Sequence, residues 1–288
     1  TDEGFKALQE HDDPRVQALM AARLGTKSTL EETRTERFIA ISERPYRNAV
    51  LPVPLLYYGA RTGRWSATDK INLQNLPRKS KLKGAIVAPE GYVIVGADLS
   101  AIELRMGLAF AGQLDKMKLL GDGVDLYKDF ASTVYNIPIS EITEEQRFMG
   151  KTSQLSLIYN TGNVKLRNQV KLMSGVDIGE AEAKRIVNLY RSEYTYVVDA
   201  WRQGDEVLKA VKSNLSMYMG RDNLIPVHGS EGALLPSGLY MRYPGLQQKA
   251  VMTPRGERFE WSVMKNKRER DKLYGGKVFQ GLTQALAR

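Results

Sequence analysis

Hydrophobic periodicity divides this chain more sharply than any other feature. From about Ala101 to Ser213 apolar residues recur at helical spacing, and strand-like patterns occur only outside that block. Before it, Gly91 to Ala97 holds the continuous apolar run Tyr92-Val93-Ile94-Val95, the pattern of a strand buried on both faces. After it, Ala233–Tyr243 and Glu257–Met264 read as strands, and a last helix is expected from near Lys277. Residues 1–48 read as helical, Val50 to Tyr58 with its two prolines as an extended or irregular join, and 59–84 as loop. A strand-rich body interrupted by a long helical insertion is an α+β fold. Its 288 residues suffice for one large or two modest domains, and no internal repeat or low-complexity segment is present.

Composition removes whole classes of chemistry. The chain has no cysteine, which excludes disulfide scaffolds, thiolate-bound zinc and thiol catalysis, and which fits a reducing, cytoplasmic setting. Only His11 and His228 are available as imidazole ligands. No apolar run approaches the ~20 residues of a membrane span, and Thr1-Asp2-Glu3 does not begin a secretory signal. The formal net charge is +9, and its distribution is uneven: residues 61–91 carry +5, residues 262–288 carry +5, and the remainder sums to −1. Two local basic patches are the footprint expected for a polyanion partner, and they equally suit two solvated basic loops.

Three short segments carry chemical signals. In Val95-Gly96-Ala97-Asp98-Leu99-Ser100-Ala101-Ile102-Glu103-Leu104-Arg105 a carboxylate stands where a strand should stop and a helix start. Asp98 and the Leu99 carbonyl suit a hard divalent cation, while Ser100 and Glu103 also have capping-box spacing. Further on, Thr143-Glu144-Glu145-Gln146 reads as a helix start, after which Arg147, Lys151, Leu155 and Tyr159 recur every four residues along one stripe. Two cations one turn apart can grip a triphosphate and an aromatic can press on a base; a solvated basic face over a core tyrosine has the same pattern. The third segment is Gly59-Ala60-Arg61-Thr62-Gly63-Arg64-Trp65 followed by Asn72-Leu73-Gln74-Asn75-Leu76-Pro77-Arg78. Arginines suit phosphates and amides suit minor-groove acceptors, although Asn and Gly also make ordinary surface turns.

Taken together, the three segments resemble motifs of family A DNA polymerases. Thr62-Gly63-Arg64 with Asn72 to Pro77 is similar to the family's signature at the thumb-to-palm junction. Asp98 to Arg105 is similar to motif A, and Arg147, Lys151 and Tyr159 to motif B. Leu235-Pro236-Ser237-Gly238 and Tyr274-Gly275-Gly276-Lys277 resemble the bacteriophage-type branch. The resemblance spans roughly residues 45–288. It implies a right-hand polymerase architecture with an antiparallel-sheet palm, helical fingers and a partial helical thumb. The expected division is 1–58 for the thumb remnant and its connection, 59–117 for palm, 118–215 for fingers and 216–288 for the return towards the palm.

The resemblance also implies partners and roles. Primer–template DNA and deoxynucleoside triphosphates would be the substrates, in DNA replication alongside other replication proteins and away from membranes. Two Mg2+ ions, with Mn2+ able to substitute, would be held through Asp98 and Leu99. Arg147 and Lys151 would hold the triphosphate, and Leu99, Ser100, Tyr127, Leu155 and Tyr159 would line the nucleotide. Glu103 would exclude a 2′-hydroxyl, and Arg61, Arg64, Asn72, Gln74, Asn75 and Gln280 would contact DNA. Leu155 stands where bacterial members carry a stacking aromatic, Tyr127 where a histidine is usual, and Asn160 where glycine is usual. Motif C, which carries the second metal carboxylate, is expected beyond Arg288, because Val227-His228-Gly229-Ser230-Glu231 precedes the last helix and lacks the Asp. The alternatives are a non-catalytic DNA-binding fragment or a related RNA polymerase or reverse transcriptase, the latter disfavoured by Glu103.

Overall fold

The computed structural model describes residues 11–25, 30–44, 50–76, 80–253, 256–265 and 268–288. The chain folds as two compact units, one of residues 1–60 and 65–96, the other of residues 61–64 and 97–288.

The first unit holds helices α1 (Pro14–Gly25) and α2 (Leu30–Ser42), a two-residue ladder of β1 (Leu55–Leu56) with β2 (Ser66–Ala67), a 3-10 turn at Leu73–Asn75 and the one-turn helix α3 (Lys81–Gly84). The Thr68 amide donates to the Pro54 carbonyl, closing the loop around the ladder, and Ile41 and Ile71 are buried. The expected strand at Gly91–Ala97 is not formed. A strand needs neighbours to take up its amides and carbonyls. Among the described residues none pairs with this segment, which runs irregularly with Val95 86% exposed.

The second unit builds one core from the helical block and the strands after it. Its helices are α4 (Ile102–Ala111), α5 (Leu114–Gly121), α6 (Leu126–Tyr135), α7 (Glu144–Leu157), α8 (Asn163–Ser174), α9 (Gly179–Glu193) and α10 (Thr195–Lys212). A four-stranded antiparallel sheet follows in the order β3 (Ser216–Met219), β4 (Ile225–His228), β5 (Gly232–Leu234), β6 (Tyr240–Met241). A second antiparallel sheet joins β7 (Gln247–Thr253), β8 (Gly256–Met264) and β9 (Arg270–Leu273), and α11 (Gly275–Leu286) ends the unit. The last helix therefore starts two residues before the position expected from the sequence.

Core formation follows the apolar stripes. Leu104 and Leu108 of α4, Phe130 of α6, Leu157 of α7, Tyr190 of α9, Trp201 and Leu208 of α10, Ile225 and Val227 of β4 and Phe279 of α11 belong to one buried cluster. Phe110 stacks on Phe279 at 5.6 Å, and Tyr190 on Tyr194 at 4.2 Å, so aromatic pairs join α4 to α11 and α9 to the start of α10. The helical insertion and the returning strands are thus a single packed body. This arrangement is of the α+β class.

Candidate functional site

The site forms where α4, α6, α7 and α11 of the second unit converge. Helix α7 starts as the sequence indicates. Thr143 Oγ1 accepts from the Gln146 amide at 3.3 Å and Gln146 Oε1 accepts from the Thr143 amide at 2.9 Å, a complete capping box. Gly150 then lets α7 lie directly on α6, since a Cβ there would fall 2.2 Å from the Tyr127 carbonyl oxygen. The buried Gln154 fixes the same packing by donating to the Leu126 carbonyl at 3.0 Å and to the Tyr194 hydroxyl at 2.5 Å.

This packing sets two cations around one ring. The Arg147 guanidinium lies 5.6 Å and the Lys151 ammonium 5.8 Å from the Tyr127 ring centre. Arg147 is oriented by Asp125, with Nε to Oδ2 at 2.6 Å. Asp125 also caps α6, accepting from the amides of Tyr127 and Lys128. Burial alone would raise the Asp125 carboxyl, but Arg147 and the two amides together bring it below its ordinary range. The Tyr127 hydroxyl is shifted upwards, chiefly by burial and next by the Asp125 charge. Arg147, Asp125 and Tyr127 line a cleft of about 210 Å³ with Ser100, Ala101 and Arg105. Ser100 and Arg147 of α7 therefore open onto the same space.

The last residue of the stripe, Tyr159, meets Glu103. Tyr159, just beyond the end of α7, donates to Glu103 Oε2 at 2.8 Å. Arg64 Nη1 stands 3.7 Å from Glu103 Oε1, and Gln284 of α11 donates to Oε2 at 3.4 Å. Burial first, and the Glu103 charge next, push the Tyr159 hydroxyl well above the usual phenol range, so it remains a donor. The capping box expected from Ser100 and Glu103 is absent. Ala101 occupies the N-cap in a left-handed conformation with no side-chain cap, and the Glu103 carboxylate is turned to Tyr159 and Arg64 instead.

The remaining expected residues are placed as follows. Asp98, Leu99 and Ser100 lie on the exposed segment ahead of α4, where the Ser100 carbonyl accepts from Arg105 Nε at 3.0 Å. Leu155 is 41% exposed on α7. Arg61 lies over the Tyr243 ring at 5.8 Å, and the Tyr243 hydroxyl is pushed up to about 12 by burial, the Arg61 charge opposing. Gln280 is half-buried on α11, and its neighbour one turn on, Gln284, is the one that reaches Glu103. In the first unit Gln74 and Asn75 are exposed on the 3-10 turn, the Asn75 carbonyl accepts from Arg34 at 3.3 Å, and the Asn72 Oδ1 is buried. Pro77 and Arg78 lie outside the described residues. Sequence reasoning assigns Asp125, Arg105 and Gln284 no role. Asp125 is detectable as an Asp one residue ahead of an apolar helix start, whereas Gln284 carries no local signal.

Comparison with known proteins establishes the family. The family model described as DNA polymerase family A matches residues 2–232. DNA polymerase I of Pseudomonas aeruginosa is 29% identical over 180 residues, 61% of this chain and 19% of that protein. The DNA polymerase of Bacillus phage SP02 is 25% identical over an alignment covering 92% of this chain and 46% of the phage protein. A solved structure, the POL domain of Pol1 from M. smegmatis in complex with DNA primer-template and dNTP, aligns with 98% of this chain and 41% of its own at a TM-score of 0.56 and 20% identity, a likeness of fold. The chain belongs to DNA polymerase family A. It spans less than half the length of each of these three relatives.

Proposed function

We propose that this chain forms the palm and fingers of a template-directed DNA polymerase of the bacteriophage-type branch, which joins a deoxynucleoside triphosphate to a primer 3′-hydroxyl. In this reading residues 1–58 are a thumb remnant with its connection, 59–117 palm, 118–215 fingers and 216–288 the return to the palm. The observation that carries it is the shared cleft. Ser100 and Arg105 border the same space of about 210 Å³ as Asp125, Tyr127 and Arg147, which supports one ligand lying between the residues that follow Asp98 and the start of the cationic helix.

Each group then has a task. Arg147 and Lys151 bind the triphosphate, and the developing pyrophosphate charge strengthens that interaction in the transition state. Asp125 holds Arg147 in its working orientation. Tyr127 supports both cations through its ring face. The Glu103 carboxylate, fixed by Tyr159 and Gln284, crowds the sugar and rejects a 2′-hydroxyl. Arg64 stands beside the second oxygen of this gate, and Arg61, Arg64, Asn72, Gln74, Asn75 and Gln280 contact the primer–template.

Magnesium would be bound by the exposed Asp98 carboxylate and the Leu99 carbonyl, both hard oxygen donors. A single carboxylate is an incomplete donor set for two ions, and Glu103 is engaged elsewhere. Among the described residues no group of three or more acidic or imidazole side chains is disposed to hold a metal. The site of action in this reading is the cytoplasm. No helix among the described residues is long and apolar enough to cross a membrane.

Single-nucleotide incorporation on a defined primer–template tests the reading. Arg147→Ala and Lys151→Ala should each cut kcat/KM for the nucleotide at least tenfold, with duplex affinity little changed. Unaltered nucleotide kinetics in both variants would overturn it.

A further inference from the structure

One arginine from each basic segment of the sequence, Arg61 and Arg270, reaches the same turn. From the first segment, the Arg61 guanidinium lies over the Tyr243 ring. From the second, Arg270 reaches the Gly245 carbonyl, and its Nε donates to Ser262 Oγ at 3.1 Å. This turn, closed by the Leu246 amide on the Tyr243 carbonyl, leads directly into β7.

The β7–β8–β9 sheet that follows has two unlike faces. Paired residues share a face and neighbours along a strand alternate. The register sets Lys249 opposite Glu260, Val251 opposite Arg258, Ser262 opposite Lys272 and Met264 opposite Arg270. Lys249, Arg258, Arg270 and Lys272 therefore share a face with one carboxylate, Glu260, giving that face a net +3. The opposite face carries Trp261, Val263 and Leu273, which pack into the core. Core packing at the β9 end thus turns the cationic face outwards, while towards the β7–β8 turn both faces are exposed, Phe259 and Met252 on the other face included. Arg258 and Lys272 both bind Glu260, the latter at 2.6 Å, yet their side chains stay 58% and 51% exposed. One carboxylate is shared between two cations, with a third opposite it.

Strands about 5 Å apart and alternate residues about 7 Å apart spread these charges over a surface suited to a run of phosphates rather than to one small anion. We propose that this face binds the sugar–phosphate backbone of the primer–template duplex, extending the cationic track that begins at Arg61. The inference rests on the polymerase reading. Helix α11 begins two residues after β9 and carries Gln284 to Glu103. At ~1.5 Å per residue the base of the sheet lies ~14 Å along the helix from Gln284. At ~3.4 Å per step that distance is about four base pairs of duplex.

The test is duplex binding by the full chain, read by fluorescence anisotropy across a salt series. The Lys249→Gln/Arg258→Gln/Lys272→Gln variant should weaken binding at low salt at least tenfold. It should also reduce the slope of log K against log salt by about 0.9 for each phosphate that is no longer neutralised. Glu260→Gln should act oppositely and tighten binding, because it removes a repulsive charge from that face. Circular dichroism establishes that both variants are folded, and Glu260→Gln stands as an independent arm if the triple variant is not. Wild-type affinity and slope in the triple variant, or weaker binding by Glu260→Gln, overturns the proposal for this face alone when the wild-type chain binds duplex. A wild-type chain that binds no duplex overturns the polymerase reading and this inference together.

Discussion

Tyr159 and Glu103, one just past the end of α7 and the other in the first turn of α4, are joined by a 2.8 Å hydrogen bond from phenol to carboxylate. The bond ties the cation-bearing helix to the segment that carries Asp98. It also fixes where the carboxylate points, because burial and the Glu103 charge hold the phenol in its protonated, donating form. Glu103→Ala should therefore raise incorporation of ribonucleotides relative to deoxynucleotides at least tenfold. Tyr159→Phe should raise it less, since Gln284 and Arg64 still hold the carboxylate. Single-nucleotide incorporation with matched ribo- and deoxynucleotides reads both effects. Because Glu103 caps nothing, its loss should not cost the ~1 kcal/mol of a removed N-cap.

The acid limb of stability should report the Asp125–Arg147 pair. The Asp125 carboxyl is held below its ordinary value, so its contribution is fully present above the unfolded-state pKa of about 3.9 and is lost as pH falls through the lower folded value. Arg147→Ala removes the partner that lowers it most, leaving the burial effect less opposed. The variant should be less stable by a difference that is full above about pH 5 and shrinks as pH falls further, and its acid unfolding midpoint should move to higher pH. Coincident acid transitions for wild type and variant would show that the pair is not formed in solution.

Gly150 offers a purely steric test. A methyl group at this position meets the Tyr127 backbone oxygen at 2.2 Å, and backbone cannot rotate away as a side chain can. Gly150→Ala should force α7 off α6, destabilising the fold by about 1–3 kcal/mol or more and displacing Arg147 and Lys151 from Tyr127. Gly121→Ala is the contrast, since nothing lies within 4 Å of its added Cβ. Urea denaturation should place the two variants on opposite sides of wild type, or show Gly121→Ala unchanged.

Much of the helical block is legible in the sequence because its signals are local. The capping box at Thr143 and Gln146, and the four-residue spacing of Arg147, Lys151 and Leu155, depend only on residues a turn apart, and both are formed. The apolar run Tyr92 to Val95 misleads for the converse reason. Its composition describes a strand, but strand formation requires partners that composition does not supply, and the segment is exposed. Ser100 and Glu103 have the spacing of a cap, but tertiary interactions with Tyr159, Arg64 and Gln284 claim the carboxylate. The short strands β3, β4, β7 and β9 escape sequence reading, β7 and β9 because they are rich in Lys, Arg and Gln on one face and lack a run of β-branched residues.

Asp98 permits the sharpest separation of chemistry from structure. It is exposed on the irregular segment ahead of α4, so Asp98→Asn changes charge without opening a cavity or stranding a buried partner. Stability should stay within about 0.5 kcal/mol of wild type, as for surface substitutions generally. Duplex affinity should be unchanged or slightly improved, since a negative charge leaves a basic surface. Nucleotide incorporation by the protein that carries this chain should nevertheless fall at least a thousandfold, because an amide is a poor ligand for magnesium beside a carboxylate. Retained incorporation would remove Asp98 from the reaction and with it the assignment of the Asp98–Arg105 segment. Loss of activity accompanied by equal loss of duplex affinity would place this carboxylate in DNA binding and leave the metal assignment without support.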